Sequence, residues 1–200
     1  MDQPSHSRFV SRAGLKLEGA LEAFGLDVAG WVCADFGCNV GGFTDCLLQR
    51  GAAKVYAIDT GYGSLAWKLR KDPRVVVLER TNALYLAPPE PVDLVVVDMA
   101  WTVQELSLPA AMRWLRPGLE HSGHVISLLK PHYELAKLQG KAPHEVLTQQ
   151  RARQVCLEVC DRLAGGGVQV KAVMESTLAG KGGNREFLLL ADRREAQMVC

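Results

Sequence analysis

The sequence predicts an α/β fold: a doubly wound, mostly parallel seven-stranded sheet that ends in an antiparallel hairpin. Three observations predict it. Apolar runs of strand length alternate with amphipathic helical stretches along nearly the whole chain, the pattern of a parallel sheet covered on both faces. A glycine-rich turn, Asp35-Phe36-Gly37-Cys38-Asn39-Val40-Gly41-Gly42-Phe43, follows the first apolar run and opens a helix. The last two runs are joined by Glu175–Glu186, which is glycine-rich and has no helical period, so it suits a hairpin rather than a crossover.

Taken in order, a helix over Ser11–Phe24 leads to a strand at Trp31–Ala34, and after the turn a helix over Gly42–Arg50 stops at Gly51. A strand at Val55–Ile58, a helix over Ser64–Leu69 and a strand at Val75–Leu78 follow. Pro88-Pro89-Glu90-Pro91 breaks the chain before the strand Leu94–Val97, and Pro117-Gly118 ends a helix over Gln104–Trp114. The strand His124–Leu128 precedes a long helix over His144–Leu163, and the hairpin strands are Val168–Val173 and Phe187–Leu190. Five parallel strands and a hairpin leave one antiparallel strand. The 200 residues read as one domain with its core at about 8–191.

With 48% hydrophobic and 22% charged residues, neither disorder nor a fibrous class is suggested. The net charge is +1, from 23 basic and 22 acidic residues, so no global field attracts a polyanion and any nucleic-acid surface must be a local patch. Met1–Arg8 lacks the apolar core of a signal peptide, and no run approaches the ~18 apolar residues of a membrane span. A cytoplasmic protein with no membrane partner is expected. Cys33, Cys38, Cys46, Cys156, Cys160 and Cys200 contain no C-x2-C pair, so the reading is structural thiols and no metal.

In an open doubly wound sheet, ligands bind beyond the carboxyl ends of the strands where strand order reverses, and the first glycine turn lies there. Gly37, Cys38, Asn39, Gly41, Gly42 and Phe43 are therefore candidate ligand contacts, since glycine permits close approach and the following helix offers free N–H groups. The spacing is not that of a dinucleotide fingerprint: Asn39 stands where G-x-G-x-x-G requires glycine. No Gly-Lys-Ser/Thr follows, which excludes a P-loop. Asp59 ends the second strand, where a carboxylate meets a ribose diol, while Asp35 disfavours a pyrophosphate and tolerates a cationic amino acid. S-adenosylmethionine fits those demands better than a dinucleotide. Asn82 can meet an adenine edge or cap its own loop.

Further ionisable residues stand at strand ends. Asp98 ends Leu94–Val97, Lys130 follows the fifth strand and precedes Pro131, Glu186 begins the final strand, and Lys16 lies on the first helix. A lysine against a buried run can serve as a base, because burial without a partner lowers its pKa.

The segments Ser11–Leu17, Gly41–Gly51, Gly61–Arg70, Glu79–Ala83, Leu129-Lys130-Pro131 and Gly183–Phe187 together resemble the methyltransferase domain of the TlyA family, within the FtsJ-like group of RNA 2′-O-methyltransferases. The resemblance runs from about Arg8 to Leu190. It implies S-adenosylmethionine as cofactor, ribosomal RNA ribose 2′-hydroxyls as target, and a catalytic tetrad of Lys16, Asp98, Lys130 and Glu186, with Asp98 also near the methyl donor. A 2′-hydroxyl is a poor nucleophile, and Lys130 is the expected base. Work near neutral pH asks its pKa to fall by about three units, on the order of 4 kcal/mol. Burial and Lys16 would lower it, and Asp98 and Glu186 would raise it.

The chain departs from the family in several places. Relatives usually carry an S4 RNA-binding domain ahead of this one, whereas only ten residues precede Ser11, so specificity is expected from the domain itself, an assembled ribosomal particle or a separate RNA-binding partner. Cys38-Asn39-Val40 replaces an Ala-Ser-Thr type sequence, Met99–Thr102 a Ser-Phe-Ile type, and His132-Tyr133-Glu134 the usual Gln-Phe-Glu. Trp101 and Tyr133 can stack on a base or pack in the core. Candidate RNA contacts are Arg8, Arg12, Lys137, Lys141, Arg151, Arg153, Lys181 and Arg185. The rival readings are a methyltransferase with another substrate and a non-catalytic cofactor-binding module that assists ribosome assembly or a partner enzyme.

Overall fold

Short valine- and leucine-rich runs form the strands because both of their faces are covered. The computed structural model describes residues 8–100, 102–117, 123–140 and 146–193. The strands are β1 (Val32–Phe36), β2 (Lys54–Ile58), β3 (Val75–Leu78), β4 (Leu94–Val97), β5 (His124–Leu129), β6 (Val168–Glu175) and β7 (Phe187–Arg193). They form one sheet in the order β3-β2-β1-β4-β5-β7-β6. β1 to β5 are parallel, and β7 runs antiparallel between β5 and β6. The predicted single antiparallel strand is therefore β7. Strand order reverses between β1 and β4, which sets the ends of those two strands side by side.

The helices are α1 (Ala13–Ala23), α2 (Gly42–Gln49), α3 (Trp67–Arg70), α4 (Gln104–Met112), α5 (Pro131–Leu138) and α6 (Gln149–Gly165). Alternate residues of each central strand feed opposite cores. Phe36, Val95 and Val97 face Leu108, Trp114, Val155 and Val159, whereas Cys33, Leu94 and Val96 face Leu17, Leu21, Phe43 and Leu47. Trp114 closes the first core, its ring edge-on to Phe36 at 5.3 Å and its indole N–H bonded to the Leu86 carbonyl at 3.2 Å.

Several boundaries differ from the sequence reading. α1 starts at Ala13, α4 ends at Met112, and α3 is a single turn beginning at Trp67. α6 begins at Gln149, where the Thr148 hydroxyl accepts from the Arg151 N–H; His144, its predicted start, lies outside the described residues. α5 was not predicted. Pro131 sits in its first turn, where a missing N–H costs nothing, so the proline read as an exit from the strand also starts a helix. No helix among the described residues is long and apolar enough to cross a membrane.

Candidate active site

The glycine turn is clamped to both neighbouring strands. Gly37 has φ +82°, and a Cβ there would lie 2.6 Å from the Asp98 carbonyl oxygen, so only glycine fits the backbone against the end of β4. The Gly37 and Cys38 N–H groups donate to the Ile58 carbonyl at 2.9 and 3.0 Å. Asn39, in the left-handed region at φ +47°, donates its N–H to the Asp59 carboxylate at 2.8 Å. The turn's amides thus largely serve the protein itself. Gly41, at φ +95°, completes it and leads into α2, where the closely packed Gly42 and the buried Phe43 stand in the first turn.

Asp35 is fully buried, and its Oδ2 accepts from both the N–H and the hydroxyl of Thr44, at 3.0 and 2.7 Å. Its Oδ1 has no partner among the described residues. Burial, helped by Asp98 and Asp59 and opposed by the Thr44 bonds, pushes its pKa up to about 7. The carboxylate borders a small cavity shared with Gly37, Cys38, Asn39, Phe43 and Asp98. An orphaned carboxylate oxygen in such a place is matched by an ammonium group.

Beside it lies a cleft of about 290 Å³, lined by the expected Gly37, Asn39, Asp59 and Asp98. Ile58, Thr60, Thr81, Ala83, Met99 and Ala100 complete its walls. They carry no ionisable group, and strand-end carboxylates were the signal followed in the sequence. Asp59 Oδ1 accepts from the Gly61 N–H at 2.7 Å, so the carboxylate is fixed at the cleft by two backbone bonds. Asn82 is exposed, and its side chain accepts from the Leu84 N–H at 3.0 Å. That geometry is the loop cap, while its neighbours Thr81 and Ala83 reach the cleft. Cleft, carboxylates and tight turn fit S-adenosylmethionine: Asp35 for the ammonium, Asp59 for the ribose diol, and the turn for close approach.

The four charged residues form two ion pairs, Lys130 with Asp98 and Lys16 with Glu186. Lys16 and Glu186 are buried, and Gly180 packs directly on the Glu186 carboxylate with no room for a Cβ. Lys130 precedes α5, with its ammonium 5.7 Å from the centre of the Tyr133 ring. Burial alone would lower the Lys130 pKa, but Asp98, through charge and hydrogen bond, then Glu186 and Tyr133, outweigh it and raise the pKa above its ordinary value. The expected fall toward neutrality is therefore corrected: in this state the carboxylates win. The influence of Glu186 on Lys130 also brings the two pairs within electrostatic reach of each other.

A buried polar network behind these residues escaped the sequence reading. Glu134 of α5 accepts from the Gln104 N–H at 3.0 Å, at the start of α4, and Gln104 in turn accepts from the Ser127 hydroxyl of β5 at 2.6 Å. Glu134 thereby ties the segment after Lys130 to the segment after Asp98. Burial raises its pKa to about 7. His132, next to Lys130, is held below its ordinary value by burial and by the Lys130 charge.

The basic residues singled out from the sequence are mostly occupied. Arg8 pairs with Glu18, Arg151 with Glu158, and Arg153 and Arg185 with Glu175, while Arg12 donates to the Ala179 carbonyl at 3.1 Å. Lys137 is exposed. Lys141, the Lys181 side chain and Trp101 lie outside the described residues.

A model of the FtsJ-like methyltransferase family matches residues 9–193. The 16S/23S rRNA (cytidine-2′-O)-methyltransferase TlyA of Mycobacterium tuberculosis is 46% identical over 191 residues, covering 92% of this chain and 69% of that protein. Two solved proteins provisionally named hemolysins share the fold. One, from Streptococcus thermophilus, has TM-score 0.83 and 33% identity over 97% of this chain and 70% of its own. The other, from Lactococcus lactis, has TM-score 0.82 and 35% identity over 92% and 88%. With this match over nearly all of the described residues, and with a cleft that fits a methyl donor, the chain belongs to the FtsJ-like methyltransferase family and is an S-adenosylmethionine-dependent enzyme.

Proposed function

We propose that the protein methylates the ribose 2′-oxygen of ribosomal RNA, with Lys130 as base. The observation that carries the reading is the pairing of Lys130 with Asp98, which also lines the cleft beside the glycine turn. When bound, S-adenosylmethionine supplies the electrophilic methyl group. Asp35 and Asp59 hold its charged and hydroxylated ends. Lys130, as the free amine, takes the 2′-hydroxyl proton while the oxygen bonds to the methyl carbon and the carbon–sulfur bond breaks.

Lys130 must first give up its own proton. A cation bound in the cleft offsets the pull of Asp98 and loosens the ammonium's hold on that proton. Lys16 neutralises Glu186 and so limits the second carboxylate's opposing effect. Glu186 and Lys16 orient the base.

The Mycobacterium tuberculosis relative, by its name, acts on cytidine 2′-oxygens of 16S and 23S rRNA. Because four of the eight basic residues named from the sequence are paired with carboxylates, recognition draws on an assembled ribosomal subunit or an RNA-binding partner more than on general attraction to naked RNA. The test is incubation with methyl-labelled S-adenosylmethionine and either naked rRNA or subunits, with mapping of the modified position. Label on a ribose 2′-oxygen supports the reading. Label on a base, or tight cofactor binding without transfer to any RNA, rejects it.

A further inference from the structure

We propose that Tyr62 and Arg80 form a stacking platform for an unpaired base of the RNA substrate at the mouth of the cofactor cleft. Tyr62 is 70% exposed, and the Arg80 guanidinium lies 4.3 Å from the centre of its ring. Arg80 has no carboxylate partner among the described residues, unlike Arg8, Arg151, Arg153 and Arg185. Its charge is therefore available to a phosphate, and the ring over which it lies stays 70% exposed, with surface left for a base.

The platform is built into the backbone. Arg80 is held at φ +52°, a conformation that non-glycine residues rarely adopt, and its N–H donates to the Gly61 carbonyl at 3.0 Å. On the other side of Tyr62, the Gly63 N–H donates to the Glu79 carboxylate at 2.8 Å, and that carboxylate is also paired with Arg70. The turn carrying the tyrosine and the strand end carrying the arginine are thus pinned together twice. Strain of this kind persists only where the surroundings impose it, and it concentrates at functional sites.

Position connects the platform to the reaction. Thr60 and Thr81, which line the cleft, stand two residues before Tyr62 and one after Arg80. A second exposed ring follows on the same connection: Trp67 is 68% exposed, with the Lys71 ammonium 5.0 Å from its ring centre. Aromatic rings interleaved with unpaired cations match single-stranded RNA, whose bases stack on the rings while phosphates meet the cations. With a near-neutral net charge, a local patch of this kind is how the domain itself contributes to holding the substrate.

This inference rests on RNA being the substrate. The test compares the wild-type protein with Tyr62→Ala, Tyr62→Phe and Arg80→Asn, the last chosen because asparagine tolerates positive φ. Each is assayed for affinity toward an rRNA fragment at several salt concentrations, for methyl transfer, and for S-adenosylhomocysteine affinity by calorimetry. Tyr62→Ala is expected to weaken RNA binding by about 5- to 150-fold, while Tyr62→Phe retains it. Arg80→Asn is expected to weaken binding and to reduce the salt slope by about one. Cofactor affinity stays within twofold (~0.4 kcal/mol) in all three. Unchanged RNA affinity in Tyr62→Ala, or a loss seen in cofactor affinity instead, overturns the platform. Wild-type methyl transfer with unaffected variants sinks the platform alone. Tyr62-dependent RNA binding without any transfer keeps the platform and sinks the proposed RNA 2′-O-methylation.

Discussion

The α-carbon of Gly37 lies against the backbone carbonyl of Asp98, where an added Cβ would stand 2.6 Å from the oxygen. This contact sets the glycine turn of β1 against the strand end that carries the partner of Lys130. Gly37→Ala combines a residue forced to φ +82° with a backbone clash, so it is expected to cost about 2–4 kcal/mol of stability. It should also reduce S-adenosylhomocysteine affinity by more than tenfold (~1.4 kcal/mol). Thermal unfolding and calorimetric titration check both; wild-type values would show that the turn has room to move.

Asp35 trades stability for ligand. Its pKa is raised in the folded protein to about 7, from an ordinary 3.8, so its contribution is fully present below the ordinary value and is lost as pH rises through about 7. At pH 8 (~1 unit above that value) the buried carboxylate costs on the order of 4 kcal/mol. Asp35→Asn should therefore melt higher than wild type at alkaline pH while binding cofactor at least tenfold (~1.4 kcal/mol) more weakly. Parallel melting curves from pH 5 to 8, as round values (~3 units), test the first half. A variant that is stabilised and still binds normally would remove Asp35 from the cofactor site.

Glu134 holds the α4 terminus from α5 through its bond to the Gln104 N–H. Glu134→Ala leaves that buried N–H without an acceptor and is expected to cost about 1–3 kcal/mol, whereas Glu134→Gln keeps an acceptor. The Glu134 pKa, raised to about 7 by burial, gives the same sign as Asp35: stability falls as pH rises toward and through that value. Glu134→Gln should remove part of this fall. Equal pH dependence in wild type and variant would mean that Glu134 stays solvated in solution.

The rate should rise with pH. Lys130 has its pKa raised above its ordinary value by Asp98, Glu186 and Tyr133 against the opposing effect of burial, so the amine form is scarce at neutral pH and grows as pH increases. Single-turnover methyl transfer is expected to climb by up to about tenfold per pH unit in the alkaline range, less where a bound cation offsets Asp98. A profile that is flat between neutrality and about pH 9 would show that Lys130 is not the titrating base.

Much of this was legible in the sequence because the signals were local. Strand-end carboxylates Asp35, Asp59 and Asp98 announce themselves by following apolar runs, and the glycine turn by its spacing. The β6–β7 hairpin followed from a glycine-rich link without helical period. What escaped depends on distance in sequence. The Glu134–Gln104 bond joins residues 30 apart, and the stacking of Arg80 on Tyr62 requires two loops to meet. α5 was hidden because Pro131 ends one element and begins the next. The net direction of the Lys130 shift needed the closeness of Asp98 and Glu186, whose pull exceeds the effect of burial.

The most direct test is single-turnover transfer from labelled S-adenosylmethionine to rRNA in ribosomal subunits by wild type and Lys130→Ala, with cofactor affinity measured alongside. The account predicts 2′-O-methylation by wild type, and a loss of about 10²- to 10⁴-fold in the variant with cofactor affinity preserved. Undiminished transfer by Lys130→Ala, or methyl groups found on a base, would contradict it.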